Sequence, residues 1–324
     1  MDDVNFSNLI DPAIGISEPE WLDRIEDFAE DHGNFEPLGP DHSAVFIDRG
    51  PTLIVSFETI PSIRARAHSD IPLGWGLING TDWSQLCLLS NNETWFRHRA
   101  VYEYFDRLVD EGFFENFDQV IFYGAESCGY AAAAYSVVAP GATVIAVSPQ
   151  ATLDPAVTGW DDRFQNMRRT SFTDRYGYAP DMLDAAKQAF ILYDPGSEED
   201  AMHASLFTRS NVTKIRCRHL DGQIETFLHR MGLLKPLLSI AATGNLTPAD
   251  FYTVLRERRN YLPYLRMFLA EVERSNRPLL AAYMCRSVLE RINIPRFSRQ
   301  LSIATKELHS TGIPLPPAKT AIPA

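Results

Sequence analysis

Val120 to Tyr123 is a short apolar run of β-branched and aromatic side chains, the composition of a buried strand. Ala125-Glu126-Ser127-Cys128-Gly129 follows at once, and the Ala-rich run from Tyr130 to Val138 forms a helix slim enough to lie close on a sheet. A strand, an immediate tight turn and a close-packed helix leave few architectures open, since the chain must reverse and return along its own sheet. The pattern predicts a strained turn centred on Ser127, with small residues two before (Ala125) and two after (Gly129). Such a turn lifts the hydroxyl clear of the sheet, above a helix N-terminus whose free amides favour negative charge.

With Ala125-Glu126-Ser127-Cys128-Gly129 standing for Gly-x-Ser-x-Gly, the stretch resembles the nucleophile elbow of the α/β-hydrolase superfamily. The departure is Ala125 in place of the first glycine. The resemblance covers roughly residues 43 to 238. It implies a mostly parallel sheet with helices on both faces, and a serine hydrolase acting on a small acyl ester or thioester. An acyltransferase using the same serine, and a non-catalytic binding or scaffold protein on the same fold, are the alternatives.

The rest of the chain supplies strands and helices in the order such a sheet needs. Ser43–Asp48 and Thr52–Glu58, split by Arg49-Gly50-Pro51, read as an early hairpin. Ser84–Leu89, Thr143–Ser148, Gln188–Tyr193 and Val212–Leu220 read as further strands, with an amphipathic helix between Asn91 and Glu111. Residues 151–180 carry much charge and little periodicity, the place for a cap. The arginines there (Arg163, Arg168, Arg169, Arg175) read as a solvated face before they read as a binding site. From about Leu238 the pattern turns all-helical: Phe251–Glu273 and Pro278–Ile292 have no strand between them, and Pro314-Leu315-Pro316-Pro317 reads as an extended end. The expected organisation is an acidic segment over 1–42, an α/β-hydrolase-like domain over 43–238, and a helical extension over 239–324.

A serine triad needs a histidine base, a carboxylate to orient it and two amides for the oxyanion. By family order the acid follows a strand after the elbow and the histidine follows the last strand. Asp194, at the end of Phe190–Tyr193, fits the acid, with Asp200 as rival. His219 is the nearest base, with His229 and His203 as alternatives, and Gln223 stands near where the family places its histidine. That last residue leaves open a chain with no base at all. The amide of Cys128 is the expected first oxyanion donor, and Ile60 or Thr59, after an early strand, the second.

Composition narrows the partners. A formal charge of -12 argues against a nucleic-acid partner, which would be repelled. No apolar run approaches a membrane span, Met1-Asp2-Asp3-Val4-Asn5 is no secretory leader, and four well-separated cysteines fit a reducing, cytoplasmic setting. No cofactor or metal spacing occurs. The expected partners are a small acyl substrate and a second copy of the chain, through the C-terminal helices.

Overall fold

A computed structural model describes residues 17–66, 71–78, 80–220 and 222–315. The first sixteen residues, Asp221 and the end of the tail from Pro316 lie outside them. The chain divides into two compact units, Met1–Phe251 and Tyr252–Ala324.

The first unit is built on one eight-stranded sheet: β1 (Gly33–Pro37), β2 (His42–Ile47), β3 (Thr52–Thr59), β4 (Trp83–Ser90), β5 (Gln119–Ala125), β6 (Thr143–Val147), β7 (Gln188–Tyr193) and β8 (Val212–Arg216). Their spatial order is β1-β2-β4-β3-β5-β6-β7-β8. β2 runs antiparallel to both its neighbours, and every other pairing is parallel. The central strands carry continuous apolar runs because helices cover both faces.

Helices fill the connections: α1 (Glu18–His32), α2 (Ile60–Arg64), α3 (Leu73–Ile78), α4 (Arg99–Asp110), α5 (Ser127–Tyr135), α6 (Pro155–Thr158), α7 (Ala179–Met182), α8 (Glu198–Leu206), α9 (Ile224–Arg230) and α10 (Leu234–Ala242). α1 starts at a capping box, in which the Ser17 hydroxyl accepts from the Glu20 amide and the Glu20 carboxylate accepts from Ser17. It buries Trp21, Ile25 and Phe28 at helical spacing. α5 is buried on every side, which its run of alanines permits.

Local expectations change in several places. β2 and β3 do not form a hairpin, because β4 lies between them, antiparallel to β2 and parallel to β3. β1 carries the polar sequence Gly-Asn-Phe-Glu-Pro and gives no apolar signal, as suits an edge strand. β8 ends at Arg216, so His219 lies in the following loop. The segment 151–180, expected as a cap, joins the main core through Met167, Phe172, Tyr176 and Ala179. The Tyr130 hydroxyl donates to the Tyr176 carbonyl at 2.6 Å and ties this segment to α5. α10, beyond the expected boundary at 238, buries Leu234, Leu237, Leu238 and Ala241, and Phe251 packs on Phe190 at 4.8 Å between ring centroids. The first unit therefore runs to Phe251.

α11 (Pro248–Val254) carries the division between the units. The second unit holds α12 (Leu262–Arg274), α13 (Pro278–Leu289) and α14 (Pro295–Ser310), with α13 packed on both of the others. A proline opens each of the three, its fixed φ suited to a first helical turn. Among the described residues no helix is long and apolar enough to cross a membrane.

Candidate active site at the carboxyl end of the sheet

The turn after β5 is strained, and the strained residue is Glu126. Its φ of 54° and ψ of -120° lie where a side chain is rarely tolerated, while Ser127 already belongs to α5 as its first residue. The expectation that placed Ser127 at the centre of the turn is therefore corrected by one residue. The glycine requirement confirms the shift. A Cβ on Gly124, two before Glu126, would fall 2.1 Å from the Cys128 carbonyl oxygen, which nothing but glycine can avoid. A Cβ on Gly129 would meet its nearest atom at 3.0 Å. The elbow is thus Gly124-Ala125-Glu126-Ser127-Cys128, held down by the Glu126 amide donating to the Val147 carbonyl at 2.8 Å. The signal was present in the sequence, since this frame has a true glycine where the other needs Ala125.

Ser127 is buried, and its hydroxyl donates to the carboxylate of Glu93. Glu93 stands on the loop between β4 and α4, which sequence reasoning passed over. That loop is rigidly made. Trp95 and Phe96 are both fully buried with positive φ, 51° and 55°. The Trp95 indole donates to Gln150 at 3.0 Å, the Tyr135 hydroxyl donates to the Phe96 carbonyl at 2.6 Å, and Thr94 Oγ1 meets His42 Nε2 at 2.7 Å.

The candidate bases fall in three places. His203 is fully buried: its Nδ1 accepts from the Ala151 amide at 3.1 Å, so Nε2 carries the proton and donates to Asp161 at 2.9 Å. Burial lowers its pKa, and with both nitrogens committed it is a neutral structural histidine rather than a base for Ser127. Asp200, the rival acid, is spent on an ion pair with Arg163 at 2.8 Å, and Arg163 also holds Asp161. Although burial opposes it, the hydrogen bonds from Arg163 and His203 hold Asp161 at about 2. Arg163, Arg168 and Arg175 are all engaged in ion pairs. His229 is exposed on α9, its pKa lowered by partial burial and then by the charge of Arg66.

Asp194 is buried at the end of β7, where Oδ1 accepts from the Gly196 amide at 2.9 Å and Oδ2 from the Leu220 amide at 2.7 Å. It thereby fastens the loop that carries His219, itself exposed with φ 63°. Ile60 opens α2 at the carboxyl end of β3 with its side chain buried, and Thr59 caps that helix by accepting from the Ser62 amide at 3.2 Å. Burial pushes the Cys128 thiol well up, which keeps it protonated and a poor nucleophile.

Carboxyl groups dominate the rim of the elbow. Burial, and then the charges of Glu225, Glu93 and Asp200, push Glu126 up to about 7, with Arg163 opposing. Glu225, also pushed up by burial, accepts from the Tyr123 hydroxyl at 2.9 Å. Glu58 is satisfied separately by the Leu73 amide at 2.8 Å and by Arg66 at 2.5 Å. Among the described residues no group of three or more His, Cys, Asp or Glu is arranged to hold a metal ion. A cavity of about 1070 Å³ lies elsewhere, lined by Val109, Phe114, Val120, Val138 and Ala142 where β5 and β6 begin. In parallel sheets ligands gather at the carboxyl ends of the strands, where the elbow is.

No family model and no curated protein matches the chain. Among solved structures it is similar to the capsule O-acetyltransferase of Neisseria meningitidis serogroup A, at 9% identity and a TM-score of 0.40, covering 60% of this chain and 91% of that one. It is similar to an esterase of Pyrobaculum calidifontis at 13% and 0.41, covering 74% and 96%. It is also similar to the Glycosylation Associate Protein (Gap123) complex from Streptococcus agalactiae at 11% and 0.43, covering 66% and 47%. No residue role is transferred at such identities. An eight-stranded, mostly parallel sheet with its second strand reversed and an elbow between its fifth strand and the following helix is the α/β-hydrolase fold, here with a glutamate at the elbow.

Proposed function

We propose that the chain acts on a small acyl ester, by hydrolysis or by acyl transfer, with Glu126 as general base in place of a serine nucleophile. The observation that carries this reading is the elbow itself: the residue raised on the strained turn is an exposed carboxyl, its pKa pushed up to about 7 by desolvation and then by Glu225, Glu93 and Asp200. A general base works best when its pKa lies close to the working pH. In its ionised form Glu126 takes a proton from water, or from an acceptor alcohol, as that oxygen attacks the acyl carbon. The negative charge that develops on the carbonyl oxygen meets the amides of the first turn of α5, and the proton then passes to the leaving alkoxide. Ser127 is a weaker candidate for attack. Its hydroxyl is bound to the Glu93 carboxylate, and a serine hydroxyl without an imidazole to take its proton is a poor nucleophile.

Hydrolysis of a short p-nitrophenyl ester, followed from pH 5 to 9, tests the reading. The rate should rise with a midpoint near 7, Glu126→Gln should remove at least 100-fold of it, and Ser127→Ala should keep most of it. A fluorophosphonate probe should label neither protein. Labelling of the wild type that Ser127→Ala abolishes would restore the serine and overturn Glu126. A second reading, a binding protein without turnover, is favoured by the like charges of Glu93 and Glu225 around the elbow, which would repel an oxyanion. Absence of turnover across a panel of acyl esters would select it.

A further inference from the structure

The formal charge of -12 is the sum of two unlike parts. From Tyr252 onward the chain holds twelve Lys and Arg against five Glu and no Asp, a formal +7, whereas the residues up to Phe251 hold eighteen against thirty-seven, or -19. The total that argues against a nucleic-acid partner therefore hides a basic helical unit.

Within that unit the basic groups face outward for a packing reason. α14 buries Phe297, Ala304 and Leu308, while α13 buries Ala281, Met284, Cys285 and Val288. The apolar stripe of α14 is consumed inside the unit, where α13 packs on it. Arg296, Arg299, Ile303 and Lys306 share another face at steps of three, four and three residues, and all four are exposed. Arg296 approaches Glu273 at 3.8 Å. Arg256, Arg259, Arg266 and Arg277 add exposed charge on the preceding segments of the same unit.

Three kinds of polyanion could meet such a face, and the structure separates them. An anionic membrane holds a helix most firmly when an apolar face inserts, and that of α14 is covered by α13, while the large apolar side chains that the unit exposes (Tyr252, Leu280, Tyr283, Ile303 and Ile313) are spread over several segments. An acidic protein would gain only exposed ion pairs, each worth about 0 to 1 kcal/mol. A nucleic acid gains by releasing the counterions condensed on its backbone, which requires neither an apolar face nor fixed pairing geometry. We propose that the C-terminal helical unit binds the phosphate backbone of a nucleic acid, with Arg296, Arg299 and Lys306 on α14 among its contacts. Screening over about 8 Å at physiological salt makes the charge close to a contact, and not the total of the chain, the quantity that decides.

The test uses the full chain, a fluorescein-labelled 24-base-pair DNA duplex and fluorescence anisotropy between 50 and 300 mM KCl. Binding should appear at low salt and weaken steeply with it. Each phosphate contact contributes about 0.9 to the slope of log affinity on log salt, so Arg296→Gln/Arg299→Gln/Lys306→Gln should lower the slope by about 2 to 3 and weaken binding at least tenfold at 50 mM. Arg168→Gln, a surface arginine of the other unit, should change neither, and unchanged melting curves would show that the triple variant is folded. No binding at 50 mM KCl would overturn the proposal. So would a slope that the triple variant leaves intact, or binding to phosphatidylserine vesicles with none to the duplex.

Discussion

Replacing Glu126 by Gln removes a titrating group from a site that resists its charge, and the effect should be legible in stability. Glu126 is raised from 4.5 to about 7, first by burial and then by the neighbouring charges of Glu225, Glu93 and Asp200. The sign follows from proton binding. With the folded-state value above the unfolded one, the native protein holds the proton more tightly, so stability is greatest below the unfolded value. It falls as pH rises through the window from about 4.5 to about 7, then levels off. At 1.36 kcal/mol per unit, the loss between pH 5 and pH 8.5 is about 2.5 kcal/mol unscreened, and about 1 to 2 kcal/mol once the partial exposure of the side chain is allowed for. Urea unfolding of wild type and Glu126→Gln at the two pH values measures it. The variant should lack this component, so the difference between the two proteins should grow by about 1 to 2 kcal/mol on going to pH 8.5. If both proteins show the same pH dependence, Glu126 is not held in its neutral form and the general-base reading loses its physical ground.

Three further outcomes test the neighbouring structure. Glu126→Gly should raise stability by about 1 kcal/mol near neutral pH, since it relieves both the positive φ and the crowded charge, and should abolish ester turnover; a destabilised variant would mean that the turn is not strained. Gly124→Ala should destabilise by about 3 kcal/mol or more, because its Cβ would stand 2.1 Å from the Cys128 carbonyl oxygen; a variant melting with the wild type would place the elbow elsewhere. Asp161, held at about 2, should contribute about 2 kcal/mol above pH 4 that is lost as pH falls toward 2. Asp161→Asn should lack that acid-sensitive component in unfolding curves measured at pH 3 and pH 6.

What the sequence alone determined is the layered fold and the position of the tight turn between β5 and α5. The apolar run Val120–Tyr123, the tight turn and the alanine helix can be satisfied only by a strand turning under its own sheet, and Gln188–Tyr193 reads as a strand from its own composition. Such local patterns state how much of a segment is buried, and burial decides element type. They do not state pairing. That β4 inserts between β2 and β3 depends on side chains matched across strands far apart in sequence, and the edge strand β1 has no apolar face to announce it.

The frame of the elbow was decided only in three dimensions. Ser127 and Glu126 are adjacent, and a pentapeptide read for its serine favours the familiar nucleophile. Which of the two takes the strained φ is set by where Gly124 must pass the Cys128 carbonyl, a contact between backbones that no side-chain pattern encodes. The histidines were equally undecidable from order along the chain. His203 is removed from the candidates by Ala151 and Asp161, which lie about fifty and forty residues away and meet it only because β6, β7 and α8 are packed together. Sequence fixes which groups are available, whereas the tertiary structure settles which are already spent.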